Sequence, residues 1–120
     1  MIAAVTGGRE YHPTQEELDW LVTQCEQRGV TELRHGAAKG VDQRASAEVS
    51  RLLPGIKVRP FPAQWRSEQG YNARAGLERN AAMLLADPVV EVLFAFPGGP
   101  GTAHCVRTAQ GAGIEVVFVS

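Results

Sequence analysis

The chain has 120 residues, 44% hydrophobic and 21% charged, with a formal net charge of −1 at neutral pH. That length predicts one domain able to bury roughly two-thirds of its unfolded surface. The near-neutral charge argues against an electrostatic grip on duplex nucleic acid. No apolar run is long enough to cross a bilayer. Cys25 and Cys105 form neither a disulfide framework nor a metal-ligand spacing, so reduced thiols in a cytoplasmic setting are expected.

Ile2 to Val5 reads as a first buried strand, ending in Gly7-Gly8-Arg9. Thr14 and Glu17 then fit a capping box, Leu18, Leu21, Val22 and Cys25 follow at helical spacing, and Gly29 stops the helix. Val30 to Arg34 is the second strand and runs into His35-Gly36-Ala37-Ala38-Lys39-Gly40. A second helix places Val41, Ala45, Val49 and Leu52 on one face, and Pro54-Gly55 ends it. Ile56, Val58 and Phe61 alternate as a third strand whose end is weakened by Pro60.

Pro62 to Gly76 show no period, and a stretch of that length in a compact domain marks a functional loop. Leu77, Ala81, Leu84 and Leu85 mark a third helix, stopped at Asp87-Pro88. A fourth strand lies in the apolar run Val89 to Phe96. Pro97-Gly98-Gly99-Pro100-Gly101-Thr102 then opens a fourth helix carrying Val106 and Ala109, and Ile114 to Val119 closes the chain as a fifth strand.

Strict alternation of apolar strands with amphipathic helices predicts an α/β three-layer sandwich with a five-stranded parallel sheet. Right-handed crossovers and a Rossmann-like order 3-2-1-4-5 put the first and fourth strands side by side at the switch point, where ligands bind beyond the carboxyl ends. Three glycine-bearing loops would then share one sheet edge. That is more glycine than chain turning requires, and it predicts an anion pocket. The P-loop pattern is absent and G-x-G-x-x-G fails at its third glycine, so neither a P-loop ATPase nor an ordinary NAD site is expected, and no cofactor or metal is.

Gly7-Gly8-Arg9, the segment His35 to Asp42, Glu78-Arg79-Asn80 and the Pro97–Thr102 loop together resemble the SLOG superfamily, which is Rossmann-like and includes the Lonely Guy phosphoribohydrolases and the DNA-processing protein Smf/DprA. The resemblance covers nearly the whole chain and is greatest to short members with a GGR start. It implies recognition of a nucleotide or nucleotide derivative through Gly98, Gly99, Gly101 and Thr102, and homodimers as in related enzymes. It matches Arg79 to the arginine paired with the catalytic glutamate of the hydrolases. Cys105 stands at the glutamate position, and a thiol does not replace a carboxylate there.

The residues carry readings of their own. Arg9 follows two glycines and suits a bidentate phosphate contact. Thr102 can cap its helix or donate to a phosphate. Asp42 can serve the helix dipole or meet a ribose hydroxyl. Lys39, His35, Gly36, Asn80 and Pro97 complete the candidate ligand set. Trp65 and Tyr71 are candidates for base stacking, although a large aromatic more often packs its loop onto the body. Arg79 lies opposite the apolar stripe of its helix. Cys105 near a helix start raises a nucleophile as a minor reading. The sequence favours a nucleotide-binding module, a sensor or sequestering domain. N-glycosidic hydrolysis of nucleoside monophosphates is the alternative, and binding of single-stranded DNA ranks third.

Overall fold

In the computed structural model, which describes residues 1–67 and 69–119, five main strands alternate with four helices as the sequence predicts, and a short strand pair is added before the third helix. They are β1 (Ile2–Thr6), α1 (Gln15–Gln27), β2 (Glu32–His35), α2 (Val41–Leu52), β3 (Lys57–Pro60), β4 (Arg66–Ser67), β5 (Gly70–Tyr71), α3 (Ala75–Leu85), β6 (Val92–Ala95), α4 (Pro100–Gly111) and β7 (Glu115–Phe118). The five main strands form one parallel sheet in the order β3-β2-β1-β6-β7. This is the Rossmann-like α/β fold with the expected 3-2-1-4-5 order. β1 and β6 run in register from Ala3 opposite Val92 to Thr6 opposite Ala95, so their carboxyl ends stop together.

Period-two alternation divides the core between the two sheet faces. Ala3 and Val5 pack with Leu21 and Cys25 of α1 and with Val41, Ala45 and Val49 of α2. Ala4, between them, packs with Met83 and Leu84 of α3 and with Cys105 and Ala109 of α4. Alanines in the central strand let helices approach closely from both sides.

α1 carries the full capping box: Glu17 N donates to Thr14 Oγ1 at 3.1 Å and Thr14 N to Glu17 Oε1 at 2.9 Å. Arg34, fully buried, binds the other end of α3. Its guanidinium donates to the carbonyls of Met83, Ala86 and Pro88 at 2.8–3.0 Å, and its Nε meets Glu32 Oε2 at 2.7 Å. A buried charge with so many acceptors is tolerated, and it fixes α3 against the sheet.

Two helix faces differ from expectation. Leu52 is 41% exposed because α2 ends there, past the sheet. In α3 the stripe is rotated: Leu77 and Leu85 are exposed, whereas Asn80 and Met83 are buried. The helix begins at Ala75, before the residues that suggested it, and tertiary contacts choose its face. The stretch from Pro62 to Gly76 contains the antiparallel pair β4–β5, with Arg66 opposite Tyr71. Glu68 in that stretch lies outside the described residues.

Candidate functional site

The three glycine loops meet backbone to backbone at the carboxyl edge of the sheet. Gly8 N donates to Pro97 O at 2.9 Å, and Val41 N donates to Gly8 O at 3.3 Å. A side chain at Gly8 would begin 3.0 Å from the Cα of Gly98, and one at Gly7 would strike Val41. These glycines are required by close approach, which is how a site exposes amides rather than side chains.

Above them opens a crevice of about 940 Å³. Its wall includes Gly7, Gly8, Arg9, Gly36, Lys39, Asp42, Trp65, Arg79, Asn80 and the run Pro97 to Thr102. The structure thus brings together most of the residues singled out from sequence. Arg9 and Lys39 are exposed and make no ion pair among the described residues.

Three helices start at this edge without a side-chain cap: α2 at Gly40, α3 at Arg74 and α4 at Gly99. In α4, Pro100 has no N–H, and Ala103 is the first amide with a partner, Gly99 O at 3.0 Å. The N–H groups of Gly101 and Thr102 therefore have no acceptor among the described residues, at the positive end of the helix dipole. Thr102 does not cap the helix. It sits at the third helical position, with its hydroxyl turned against Gly98.

Arg79 is half-buried and directed by two bonds. One nitrogen donates to Gly36 O, and Nε donates to Asn80 Oδ1 at 2.9 Å. Asn80 in turn donates to Gly101 O at 3.2 Å and lies 3.1 Å from His104 Nδ1. Asn80 is 3% exposed, so it is a positioning residue that ties α3, and with it Arg79, to the start of α4.

Asp42 forms the second node. Its Oδ2 accepts from Gly36 N at 3.0 Å and Ala38 N at 3.3 Å, which closes the loop after β2. Its Oδ1 is buried and has no hydrogen-bond partner. Burial pushes the carboxyl up to about 6, partly offset by the two amides and by Arg79.

Because that pKa is raised on folding, the folded state holds the extra proton, and stability is lost as pH rises from about 4 through 6. A shift of this size corresponds to roughly 2–3 kcal/mol. Glu17, Glu48 and Glu115 act in the opposite sense, each held below the usual carboxylate range by hydrogen bonds, chiefly from Thr14, Gln15 and Arg28 respectively. They are common to both proteins in a comparison with Asp42→Asn. The variant is expected to gain roughly 2–3 kcal/mol on the parent between pH 4 and pH 7 in urea denaturation. A stability difference that stays constant with pH would contradict the assignment.

Three candidates fall outside the crevice. His35 is not on its wall. The imidazole Nδ1 accepts from Ala37 N at 3.0 Å, and burial, with Arg79 nearby, lowers its pKa, so it is a neutral residue that shapes its own loop. Tyr71 is 65% exposed and stacks behind Trp65, with centroids 6.3 Å apart and rings 14° from parallel. Trp65 alone of the pair lines the crevice, its ring edge against Gly76. Cys105 is fully buried at the sixth position of α4, and burial lifts its thiol to about 11. It is a core residue and not a helix-terminal nucleophile.

The wall also includes residues that sequence reasoning passed over: Thr6, Tyr11, Pro62, Ala63, Leu77 and Met83. Tyr11 donates to the Glu17 carboxylate at 2.8–2.9 Å, which pins the loop after β1 to α1. Pro62, Ala63, Trp65, Leu77 and Met83 give the crevice an apolar side, which carries no signal in the sequence because Leu77 falls at core spacing there yet is exposed. Among the described residues, no group of three His, Cys, Asp or Glu is placed to hold a metal ion, and no helix is long and apolar enough to cross a membrane.

No family model matches the chain. It is similar to the Gene 61 protein of Mycobacterium phage D29, at 38% identity over 88 residues, which span 69% of this chain and 66% of that protein. That relative's name states no activity.

Proposed function

We propose that this crevice binds a nucleotide or nucleotide-derived ligand and that the protein acts as a sensor or sequestering module. One observation carries the reading. The outward amides of Gly101 and Thr102 face the same crevice as Arg79, Arg9 and Lys39, while Trp65 and Leu77 supply an apolar wall. Amides at a helix start with arginine and lysine suit a phosphate. An indole beside a leucine suits the flat face of a base. The resemblance to SLOG proteins points the same way.

Native mass spectrometry of freshly purified protein, followed by calorimetric titration with ribonucleoside monophosphates, tests the reading. A retained nucleotide or a dissociation constant below about 100 μM supports it. The absence of both a retained mass and a thermal shift across a broad nucleotide panel counts against it.

A second reading, N-glycosidic hydrolysis of a nucleoside monophosphate, is favoured by the carboxylate of Asp42 beside Arg79, which would serve where Cys105 offers no acid. Free base released during incubation, and lost in Arg79→Ala, would establish turnover. Dimerisation, which the resemblance implies, is checked by light scattering.

A further inference from the structure

The unpartnered oxygen of Asp42 narrows the ligand class further. The contacts around the crevice connect its apolar side to its glycine loops. Trp65 lies against Gly76 in the first turn of α3. Arg79, one turn on, reaches Gly36, and the Asp42 carboxylate meets the same glycine. Gly40 then packs on Gly8, and Gly8 on Gly98 beside Thr102. Asp42 thus adjoins both Arg79 and the glycine loops on the crevice wall. A nucleotide with its base on Trp65 and its phosphate at the α4 amides would carry its sugar past this wall.

Asp42 is 5% exposed, lines the crevice, and spends Oδ2 on two backbone amides, which leaves Oδ1 as an acceptor without a donor. A buried acceptor left unsatisfied is costly, and a donor brought by a ligand removes that cost. A carboxylate also rejects a second anion, so the phosphate is directed to the amides of α4. We infer that Asp42 Oδ1 accepts a hydrogen bond from a sugar hydroxyl, and that the site selects ribonucleotides over deoxyribonucleotides. The inference rests on the nucleotide reading above and can fail independently of it.

The experiment is calorimetric titration of the whole protein with the four common ribonucleoside monophosphates and their 2′-deoxy and 3′-deoxy counterparts. For the tightest-binding base, removal of one of the two hydroxyls is expected to weaken binding at least about tenfold, the loss of one hydrogen bond to a charged acceptor. Asp42→Asn keeps the shape and an oxygen for the amides of Gly36 and Ala38, and is expected to narrow that gap to about threefold or less.

If the parent binds ribose and both deoxyribose forms within about threefold, the inference falls while the nucleotide reading stands. It falls equally if Asp42→Asn folds and keeps the full preference. Should the variant not fold, the comparison on the parent protein decides alone. If no monophosphate binds the parent, the nucleotide reading falls and takes the inference with it.

Discussion

Replacing Gly40 with alanine is expected to lower the unfolding midpoint by about 8–24 °C, the largest stability loss among the glycine positions of the site. Gly40 precedes α2 with φ +77° and ψ −124°, a conformation essentially closed to residues with a Cβ. An added Cβ would land on the carbonyl oxygen of Gly8 and 2.6 Å from that of Arg9. Neither obstacle is the end of a flexible side chain, so relief requires the loop after β1 to move away from the loop after β2. Strain of about 1–3 kcal/mol and overlap of similar size sum to roughly 2–6 kcal/mol. At this chain length each kcal/mol shifts the midpoint by about 4 °C. Gly111→Ala is the control. Nothing lies within 4 Å of its added Cβ, and it ends α4, so a gain of about 0.5–1 kcal/mol is expected. Differential scanning calorimetry of both variants decides, and a Gly40→Ala midpoint within about 3 °C of the parent would refute the account.

Arg79→Ala is expected to have the largest effect on binding, weakening the nucleotide affinity about tenfold to a hundredfold, the range for a charge-assisted contact. The residue is directed into the crevice by Asn80 and Gly36, so its orientation is established before a ligand arrives. Such preorganisation lowers the entropy cost of holding an anion. Some stability is also lost, about 1–2 kcal/mol, because the Asn80 and Gly36 oxygens lose their donor. Arg79→Lys separates charge from geometry. It keeps the charge but not the planar fork, and is expected to recover only a minor part of the affinity. Full recovery by lysine would show that Arg79 acts as a point charge. Unchanged affinity in the alanine variant would remove it from the site.

The order of the main elements was legible because parallel strands buried on both faces must be short apolar runs, and Ala3 to Val5 and Val92 to Phe96 are such runs. The glycine loops were legible for a related reason: Gly8 and Gly98 occupy positions where a Cβ collides with neighbouring backbone or side chain, and sequence records that as composition. What escaped depends on tertiary choice. The rotated face of α3 cannot be read from its leucines, since Leu77 borders the crevice and Asn80 takes a buried place by satisfying its amide. Thr102 looked like a cap, yet helix α4 begins two residues earlier at Pro100. His35 looked like a ligand, but its ring serves Ala37 N within its own loop. Arg34 ended a strand in sequence without sign that three carbonyls awaited it.

The contrast between the fully capped α1 and the bare starts of α2, α3 and α4 has an evolutionary consequence. Gly99 has an extended backbone that aspartate adopts, and open space where its Cβ would stand. Gly99→Asp would therefore stabilise the protein by roughly 1 kcal/mol through capping, dipole and chain-entropy effects. On the proposed nucleotide reading, the same carboxylate would occupy the α4 amides and repel the ligand's phosphate. Screening a library for heat resistance would enrich this change and select against ligand capture, so the residues that are easiest to improve for endurance are those whose imperfection recognition depends on.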